Sequence, residues 1–244
     1  MKHEFALYYA LAHTLKSADC NNNYTILDKD LLHRITSIIR VRPGDRLVLF
    51  DNTIQLTCTL HTVSHKRCEI ILLEKQETQR LKPEVHWLLP LLEKNYFEDA
   101  LYSLTAMGAT SIQPVITKKI HKNWFGQKDN ERLQRIMIAA CEQAKQFVLP
   151  EFKPIVLFEN LMQQQHAELV FFDPQGKPCF DILTTLIKNK PTSITCLVGP
   201  EGDLTEEEKQ LVFSKTHLIC ALTPTVLRAS DAVAVAMGII RSCL

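Results

Sequence analysis

One stretch near the end of the chain, Cys196-Leu-Val-Gly-Pro-Glu-Gly-Asp-Leu-Thr205, predicts how the C-terminal half is organised. The apolar run from Ile194 to Val198 has the length and flanks of a strand buried on both faces. Two glycines three positions apart then allow a sharp turn, and no Cβ shields their amides, so a ligand can lie against the main chain. Thr205 and Glu208 have the spacing of a capping box, which predicts the start of a helix.

A second strand-loop-helix segment of the same kind follows along the chain. His217 to Leu222 is a predicted apolar strand, Thr223-Pro-Thr-Val-Leu-Arg228 is a loop, and a helix that is apolar nearly all round begins at about Ser230. We expect this helix to be buried. We also expect the two strands to be parallel neighbours, so that both loops lie at their carboxyl ends, where open α/β sheets bind ligands.

The two segments together resemble the paired signatures of the 16S ribosomal RNA uracil-N3 methyltransferases of the SPOUT superfamily. Two motifs carry the resemblance. The first is Leu197-Val-Gly-Pro-Glu-Gly202 before an acidic helix start, and the second is Leu222-x-Pro-x-Val-Leu-Arg228 before a helix of small residues. It implies a trefoil-knotted domain that works as a homodimer and binds S-adenosylmethionine in its knot loops. The implied cofactor-binding residues are Leu197, Val198, Gly199, Pro200, Glu201, Gly202, Leu222, Thr223, Val226, Leu227 and Arg228.

Composition bounds the class of protein. The chain has 244 residues with 46% hydrophobic and 23% charged content, which is ordinary for a globular protein of one or two domains. Its net charge of +1 gives no general attraction to nucleic acid, so any RNA contact must come from local patches. The eight cysteines include no Cys-x-x-Cys pair, and we find neither a leader pattern nor an apolar run of transmembrane length. We therefore expect reduced cysteines and a cytoplasmic enzyme.

The pattern of elements changes after the first third of the chain. Residues 1–75 show short strands with turn signals and predict a small β-barrel, which the resemblance identifies as PUA-like and RNA-binding. The polar segment Glu74 to Pro83 is the predicted linker. Residues 76–244 alternate strands and helices, which predicts an α/β domain with a parallel sheet, the SPOUT methyltransferase domain of the resemblance.

Basic clusters hold the candidate RNA contacts. Arg34, Arg40 and Arg42 belong to a first cluster, and Lys118, Lys119 and Lys122 beside Trp124 form a second. For the cluster beside Trp124, a solvated loop without RNA is the alternative. The resemblance adds Lys94, Glu142 and Gln143, which fall where the family has a lysine and a Glu-Gln pair.

The resemblance also suggests the chemistry of the site. Uracil N3 has no free lone pair until it loses its proton, and the resulting charge spreads onto O2 and O4. A guanidinium beside those oxygens, that of Arg228, would favour the anion. The residues do not identify the base, and Asp231 is one candidate through hydrogen-bond reach. The alternatives are an ion pair of Arg228 with Asp231 or Glu201, and for Glu201 a turn or capping role instead of a place near the sulfonium.

Two further patterns are assigned structural roles. Cys58, His61, His65 and Cys68 have a zinc-like spacing, but Cys58 and His61 would point to opposite faces of a hairpin, so we predict no metal site. Asp173-Pro-Gln-Gly176 follows an apolar strand without a glycine-rich loop before it and is predicted to be a simple turn.

Several family positions carry other residues here, and alternatives stay open for that reason. They are Ser103, Ala106, Lys118-Lys-Ile120, Gln146, Gly202-Asp203 and Arg228-Ala-Ser-Asp231. A relative that methylates another RNA position is one alternative, and a non-catalytic RNA-binding protein is a second. A nucleotide-binding enzyme is a third, and three glutamates in the first turn of the helix after Thr205 argue against an anion there.

Overall fold

The computed structural model describes residues 4–120, 124–164, 166 and 168–244. Its contacts divide the chain into two compact units. The first comprises Met1–Gln79 with Cys141–Leu149, and the second comprises Arg80–Ala140 with Pro150–Leu244. In the described part of the chain, no helix combines the length and apolar character that a membrane span requires.

The first unit is built on a mixed five-stranded sheet. Its strands are β1 (Glu4–Tyr8), β2 (Asn23–Ile26), β3 (Arg46–Phe50), β4 (Ile54–Val63) and β5 (Cys68–Glu77). They are ordered β1-β3-β4-β5-β2, with β1 parallel to β3 and the other pairs antiparallel. The predicted β4-β5 hairpin is confirmed. Ile54 pairs with Glu77, so β5 includes the start of the predicted linker.

Short helices precede the β3 strand. A 3-10 helix spans Ala12–Leu15, α1 spans Lys29–His33, and a π-helix continues from α1 over Arg34–Ile39. Asp28 caps α1 by accepting a hydrogen bond of 2.7 Å from the amide of Leu31. Leu31, Leu32 and Ile35 are buried in the core of the first unit, as the helix-like spacing of this segment predicts.

The second unit contains a seven-stranded sheet in which every pairing is parallel. Its strands are β6 (Glu84–Pro90), β7 (Ser111–Ile116), β8 (Glu151–Phe152), β9 (Val156–Leu157), β10 (Leu169–Pro178), β11 (Ser193–Val198) and β12 (Leu218–Ala221). The order is β12-β10-β11-β6-β7-β8, with β9 also paired to β7. This architecture confirms the predicted α/β fold with a parallel sheet.

Helices alternate with these strands. They are α2 (Lys94–Ala106), α3 (Gln127–Ala144), α4 (Phe158–Met162), α5 (Cys179–Asn189), α6 (Glu206–Phe213) and α7 (Ala229–Cys243). Gly108 has φ of +75° directly after the end of α2, which is the conformation that a glycine at this position adopts without strain.

The expectation that the two loop-bearing strands are neighbours is wrong. β12 pairs with β10, and β10 pairs with β11, so β10 lies between the two strands. Local sequence could not show this, because both apolar runs are compatible with any central position in a parallel sheet. The consequence is that a third loop, the irregular segment of β10 between Phe172 and Lys177, lies between the two predicted ones.

The expectation that α7 is buried is confirmed for one side of the helix only. Val233, Ala236 and Met237 are fully buried, but Val235 is 38% exposed on another side of the helix. In the second unit, α7 contacts α2, α5 and β11. Since these contacts cover only part of its circumference, the apolar residues outside them remain accessible in the single chain.

Candidate functional site

A cavity of about 470 Å³ lies at the carboxyl ends of β10, β11 and β12. Both predicted loops line it. From the first come Val198, Gly199, Pro200 and Glu201, and from the second Leu222, Thr223, Val226, Leu227 and Arg228. Of the other two predicted cofactor-binding residues, Leu197 is fully buried in the core of the second unit, and Gly202 lies against Lys119 outside the cavity wall. The volume falls in the range of small-molecule sites.

The loop after the apolar part of β10 supplies the part of the wall that sequence reasoning missed. Phe172, Asp173, Pro174 and Gln175 all line the cavity. In place of the predicted simple turn, these residues belong to β10 at an irregularity between Phe172 and Lys177, where the amide of Gln175 donates a hydrogen bond of 2.8 Å to Asp173 Oδ1. The sequence signal for this part of the wall is an acidic residue directly after an apolar run, a pattern that fits a simple turn equally well.

The loop after β11 is held by the start of α6. Thr205 Oγ1 accepts from the amide of Glu208 at 3.3 Å, and Glu208 Oε2 accepts from the amide of Thr205 at 2.9 Å, so the predicted capping box is confirmed. Glu208 Oε1 also accepts from the amide of Lys118 at 2.8 Å. Lys119 Nζ donates to the carbonyls of Gly202 and Leu204 at 3.0 and 3.2 Å. The segment after β7 is therefore hydrogen-bonded to the loop between β11 and α6 and to the start of α6.

We expect Thr205→Ala to destabilise the second unit by about 1 kcal/mol, because the amide of Glu208 loses its acceptor. Thr205→Ser keeps the hydroxyl and is the matched control. Thermal unfolding should show a melting temperature lowered by about 2–4 °C for the alanine variant and little changed for serine. Equal melting temperatures for the parent and the alanine variant would show that the cap contributes nothing.

Arg228 is placed by both its backbone and its side chain. It occupies the N-cap position of α7 and lines the cavity. Its guanidinium carbon lies 4.6 Å from the centre of the Tyr96 ring, a cation–π contact. No ion pair of Arg228 occurs within the described part of the chain, so the alternative of a partner in Asp231 or Glu201 is not seen. The guanidinium is positioned without neutralisation by a carboxylate.

The two carboxylates considered as partners of Arg228 lie elsewhere. Glu201 is exposed, and its Oε1 accepts a hydrogen bond of 3.1 Å from the amide of Glu93, the N-cap residue of α2. Asp231 is exposed in the first turn of α7 and is absent from the cavity wall.

Three charged side chains meet on the cavity wall. Lys209 Nζ lies 3.1 Å from Asp173 Oδ2 and 2.7 Å from Asp203 Oδ2, and all three residues line the cavity. Burial opposes the charge on Lys209, but hydrogen bonds and charge from Asp203 and Asp173 outweigh it, so the pKa of Lys209 is raised. The lysine therefore remains protonated, and the cluster combines one ammonium with two carboxyl groups.

The candidate RNA-contacting residues differ in their surroundings. Several are engaged within their own unit. Arg34 pairs with Glu142, Lys94 with Asp129 at 2.5 Å, Lys118 with Glu159 at 3.3 Å, and Lys119 with the carbonyls named above. Arg40, Arg42 and Gln143 are exposed, and Lys122 lies outside the described residues. The side chain of Lys94 also lies 5.6 Å from the centre of the Trp124 ring. The four engaged cations therefore have partners within the protein, whereas Arg40 and Arg42 are exposed.

The cysteines of the considered zinc pattern are core residues. Cys58 and Cys68 are both fully buried in the first unit, and the thiol of Cys58 donates to the carbonyl of Leu47 at 3.5 Å. Across residues 4–120, 124–164, 166 and 168–244, no group of three or more His, Cys, Asp or Glu is arranged to hold a metal ion.

Comparisons with known proteins extend over most of the chain. The chain is similar to the ribosomal RNA small subunit methyltransferase E of Rickettsia conorii, with 22% identity over 91% of this chain and 90% of the relative. It is 26% identical to the protein of the same name from Synechocystis over 87% of this chain and 71% of the relative.

Two solved structures resemble the fold. One is a ribosomal RNA small subunit methyltransferase E from Neisseria gonorrhoeae bound to S-adenosyl methionine, with a TM-score of 0.83, 22% identity and 98% coverage of both chains. The other is a Legionella pneumophila methyltransferase in complex with the cofactor SAM, with a TM-score of 0.81, 19% identity, and coverage of 99% of this chain and 98% of that chain.

A family model described as an RNA methyltransferase domain matches residues 79–241, which is more than half of the chain and includes the three strands and loops around the cavity. The chain therefore belongs to the RNA methyltransferase family.

Proposed function

We propose that this protein is an S-adenosylmethionine-dependent methyltransferase that modifies N3 of a specific uridine in 16S ribosomal RNA of the small ribosomal subunit. The observation that carries the proposal is that both signature loops line the same cavity, together with the Arg228 guanidinium, which makes no ion pair with the described residues. The similarity to small subunit methyltransferases E over 91% of the chain supports the choice of substrate.

The cavity suits the proposed donor in size and in character. Its wall combines Gly199 and Pro200 with apolar side chains such as Leu222 and Val226, which suits an adenosine held by main-chain groups and apolar contacts. When bound, the donor supplies an electrophilic methyl group on a positively charged sulfur.

Arg228 has the central role in the proposed mechanism. Its guanidinium favours the uracil anion by donating to O2 or O4 as the N3 proton leaves. The Tyr96 ring restrains the guanidinium through the cation–π contact. Less conformational entropy of the Arg228 side chain is then lost when the uracil binds. Asp231, one turn further along α7, is the proposed proton acceptor, reached when the base is seated.

The remaining chain would hold the RNA. We propose that residues 1–75 act as a PUA-like, RNA-binding barrel and residues 76–244 as the trefoil-knotted methyltransferase domain. Arg40, Arg42 and Gln143 offer exposed groups for phosphate or base contacts, and the target base leaves its stack to reach the cavity. We also propose RNA contacts for the remaining candidates, which are Arg34, Lys94, Lys118, Lys119, Lys122 and Glu142.

A homodimer in the cytoplasm is the proposed working form. The support within the chain is the accessible apolar side of α7, with Val235 38% exposed. A second copy packed there would bury that face.

The test is incubation of the purified protein with methyl-labelled S-adenosylmethionine and unmodified small ribosomal subunits, followed by nucleoside mass spectrometry. We expect 3-methyluridine in 16S RNA. Another methylated nucleoside would support a relative with a different target. RNA binding that weakens steeply with salt, without donor binding in calorimetry, would support a non-catalytic RNA-binding protein.

A further inference from the structure

The charged cluster of Asp173, Lys209 and Asp203 has no assigned role in the proposed reaction. We propose that it makes the cavity prefer the positively charged sulfonium donor over the neutral thioether product, with Asp173 as the residue that determines this preference. The inference rests on the proposed function, since it concerns the ligand of the same cavity. Such a preference, here called charge selection, would favour binding of S-adenosylmethionine and release of the product S-adenosylhomocysteine.

The net charge of the cluster is the first support. Two carboxylates and one ammonium sum to one negative charge on the cavity wall when all three groups are ionised. Methyl transfer changes the ligand by one positive charge at sulfur and leaves its adenosine and amino-acid parts as they were. A fixed negative wall therefore interacts differently with the two ligands mainly through that one charge.

Burial identifies which carboxylate matters. The Asp173 side chain is 4% exposed and that of Lys209 is 10% exposed, whereas the Asp203 side chain is 54% exposed. Water screens the charge of Asp203, while the charge of Asp173 acts through a less polar surrounding. We therefore expect Asp173 to contribute more to the preference than Asp203.

Lys209 explains how a buried carboxylate is tolerated there. A lysine near the start of a helix is unfavourable with the helix dipole, yet Lys209 is the fourth residue of α6 and is buried. Its partners come from two different loops, after the apolar part of β10 and after β11. Lys209 thus ties these loops together and offsets the desolvation of Asp173 without cancelling the charge of the whole cluster.

Glu201 is the competing carboxylate, because it also lines the cavity. Its residue is exposed, and its Oε1 is used by the amide of Glu93. Its charge is therefore screened by water, and we expect it to contribute little to the preference for the charged ligand. Glu201→Gln is the matched control for Asp173→Asn, since both changes replace a carboxylate of the cavity wall by the amide of the same length.

The experiment measures dissociation constants of S-adenosylmethionine and S-adenosylhomocysteine by calorimetry for the parent, Asp173→Asn, Asp203→Asn and Glu201→Gln. The readout is the ratio of the two dissociation constants. A general loss of fold or of adenosine contacts weakens the binding of both ligands equally and therefore leaves this ratio unchanged. We expect the parent to prefer the sulfonium, Asp173→Asn to lower that preference about tenfold, and the other two variants to change it less than threefold.

Asp203→Asn is a suitable comparison because Asp203 has φ of +59°, a conformation that asparagine adopts readily. An Asp173→Asn variant that binds both ligands with the parental ratio would overturn the inference, as would a ratio that moves only in Glu201→Gln. A parent protein that binds neither ligand would instead overturn the proposed function, and the two failures are thereby distinguished.

Discussion

Replacing Arg228 by alanine should lower methyl transfer about 100- to 1,000-fold while the affinity for S-adenosylmethionine stays within tenfold. The guanidinium is the cation at the cavity that no carboxylate neutralises in the described structure, and its proposed interaction develops only as uracil becomes an anion. An interaction made in the transition state and absent from the ground state changes turnover more than binding. Single-turnover assays on small ribosomal subunits and calorimetry with the donor measure the two quantities.

Lysine at this position separates charge from geometry. Arg228→Lys keeps a cation but loses the planar group that stacks on Tyr96 and can donate twice, so its turnover should lie between those of the parent and the alanine variant. Tyr96→Phe keeps the ring and should be near parental, whereas Tyr96→Leu removes it and should be slower. Unchanged turnover in Arg228→Ala would exclude the guanidinium from the chemistry.

The loops of the site could be predicted because each is encoded by consecutive residues. Gly199 to Gly202 and the capping box at Thr205 form a local pattern whose geometry depends on near neighbours in the sequence. The second loop, Thr223 to Arg228, follows a short apolar strand in the same way. Because both loops are defined by such local patterns, nine of the eleven predicted cofactor-binding residues line one cavity.

The position of β10 could not be predicted, because strand order is a long-range property. Val170 pairs with Cys196 on one side and with Leu218 on the other, and nothing in these apolar runs specifies their order. The third loop and the Asp173–Lys209–Asp203 cluster follow from that order, so they were missed together. The capped start of α6 was predicted correctly, but the partner of Lys209 lies 36 positions away, at Asp173.

The candidate RNA contacts illustrate a different limit. Sequence shows where basic residues accumulate, but not which of them already have partners. Lys119 turns towards the carbonyls of Gly202 and Leu204, and Lys94 pairs with Asp129. Such pairs require knowledge of which segments meet in three dimensions. Composition therefore locates a basic surface, and only coordinates separate its engaged side chains from its exposed ones.

The second large effect is expected from Gly176→Ala, which should destabilise the second unit by about 3 kcal/mol. Gly176 lies where β10 returns to β12 after its loop, and a Cβ there would come within 2.6 Å of Cys220 N and of the carbonyl carbon of Ile219. Both contacts are with backbone, so no side-chain rotation can relieve them. We expect a melting temperature about 6–12 °C below that of the parent.

Gly238→Ala is the matched control, because its Cβ would meet only Met107 Sδ at 3.7 Å, an ordinary contact, inside helix α7. Alanine is the better helix former, so this variant should melt at or above the parental temperature. The Gly176 variant should also bind the donor more weakly than its stability alone explains, because the displaced segment carries Asp173 and borders the strand that leads to Leu222 and Arg228. Equal melting temperatures for the two alanine variants would mean that β10 and β12 move apart without a loss of stability. The cavity wall that these strands form could not then hold Asp173 in the fixed position that charge selection requires.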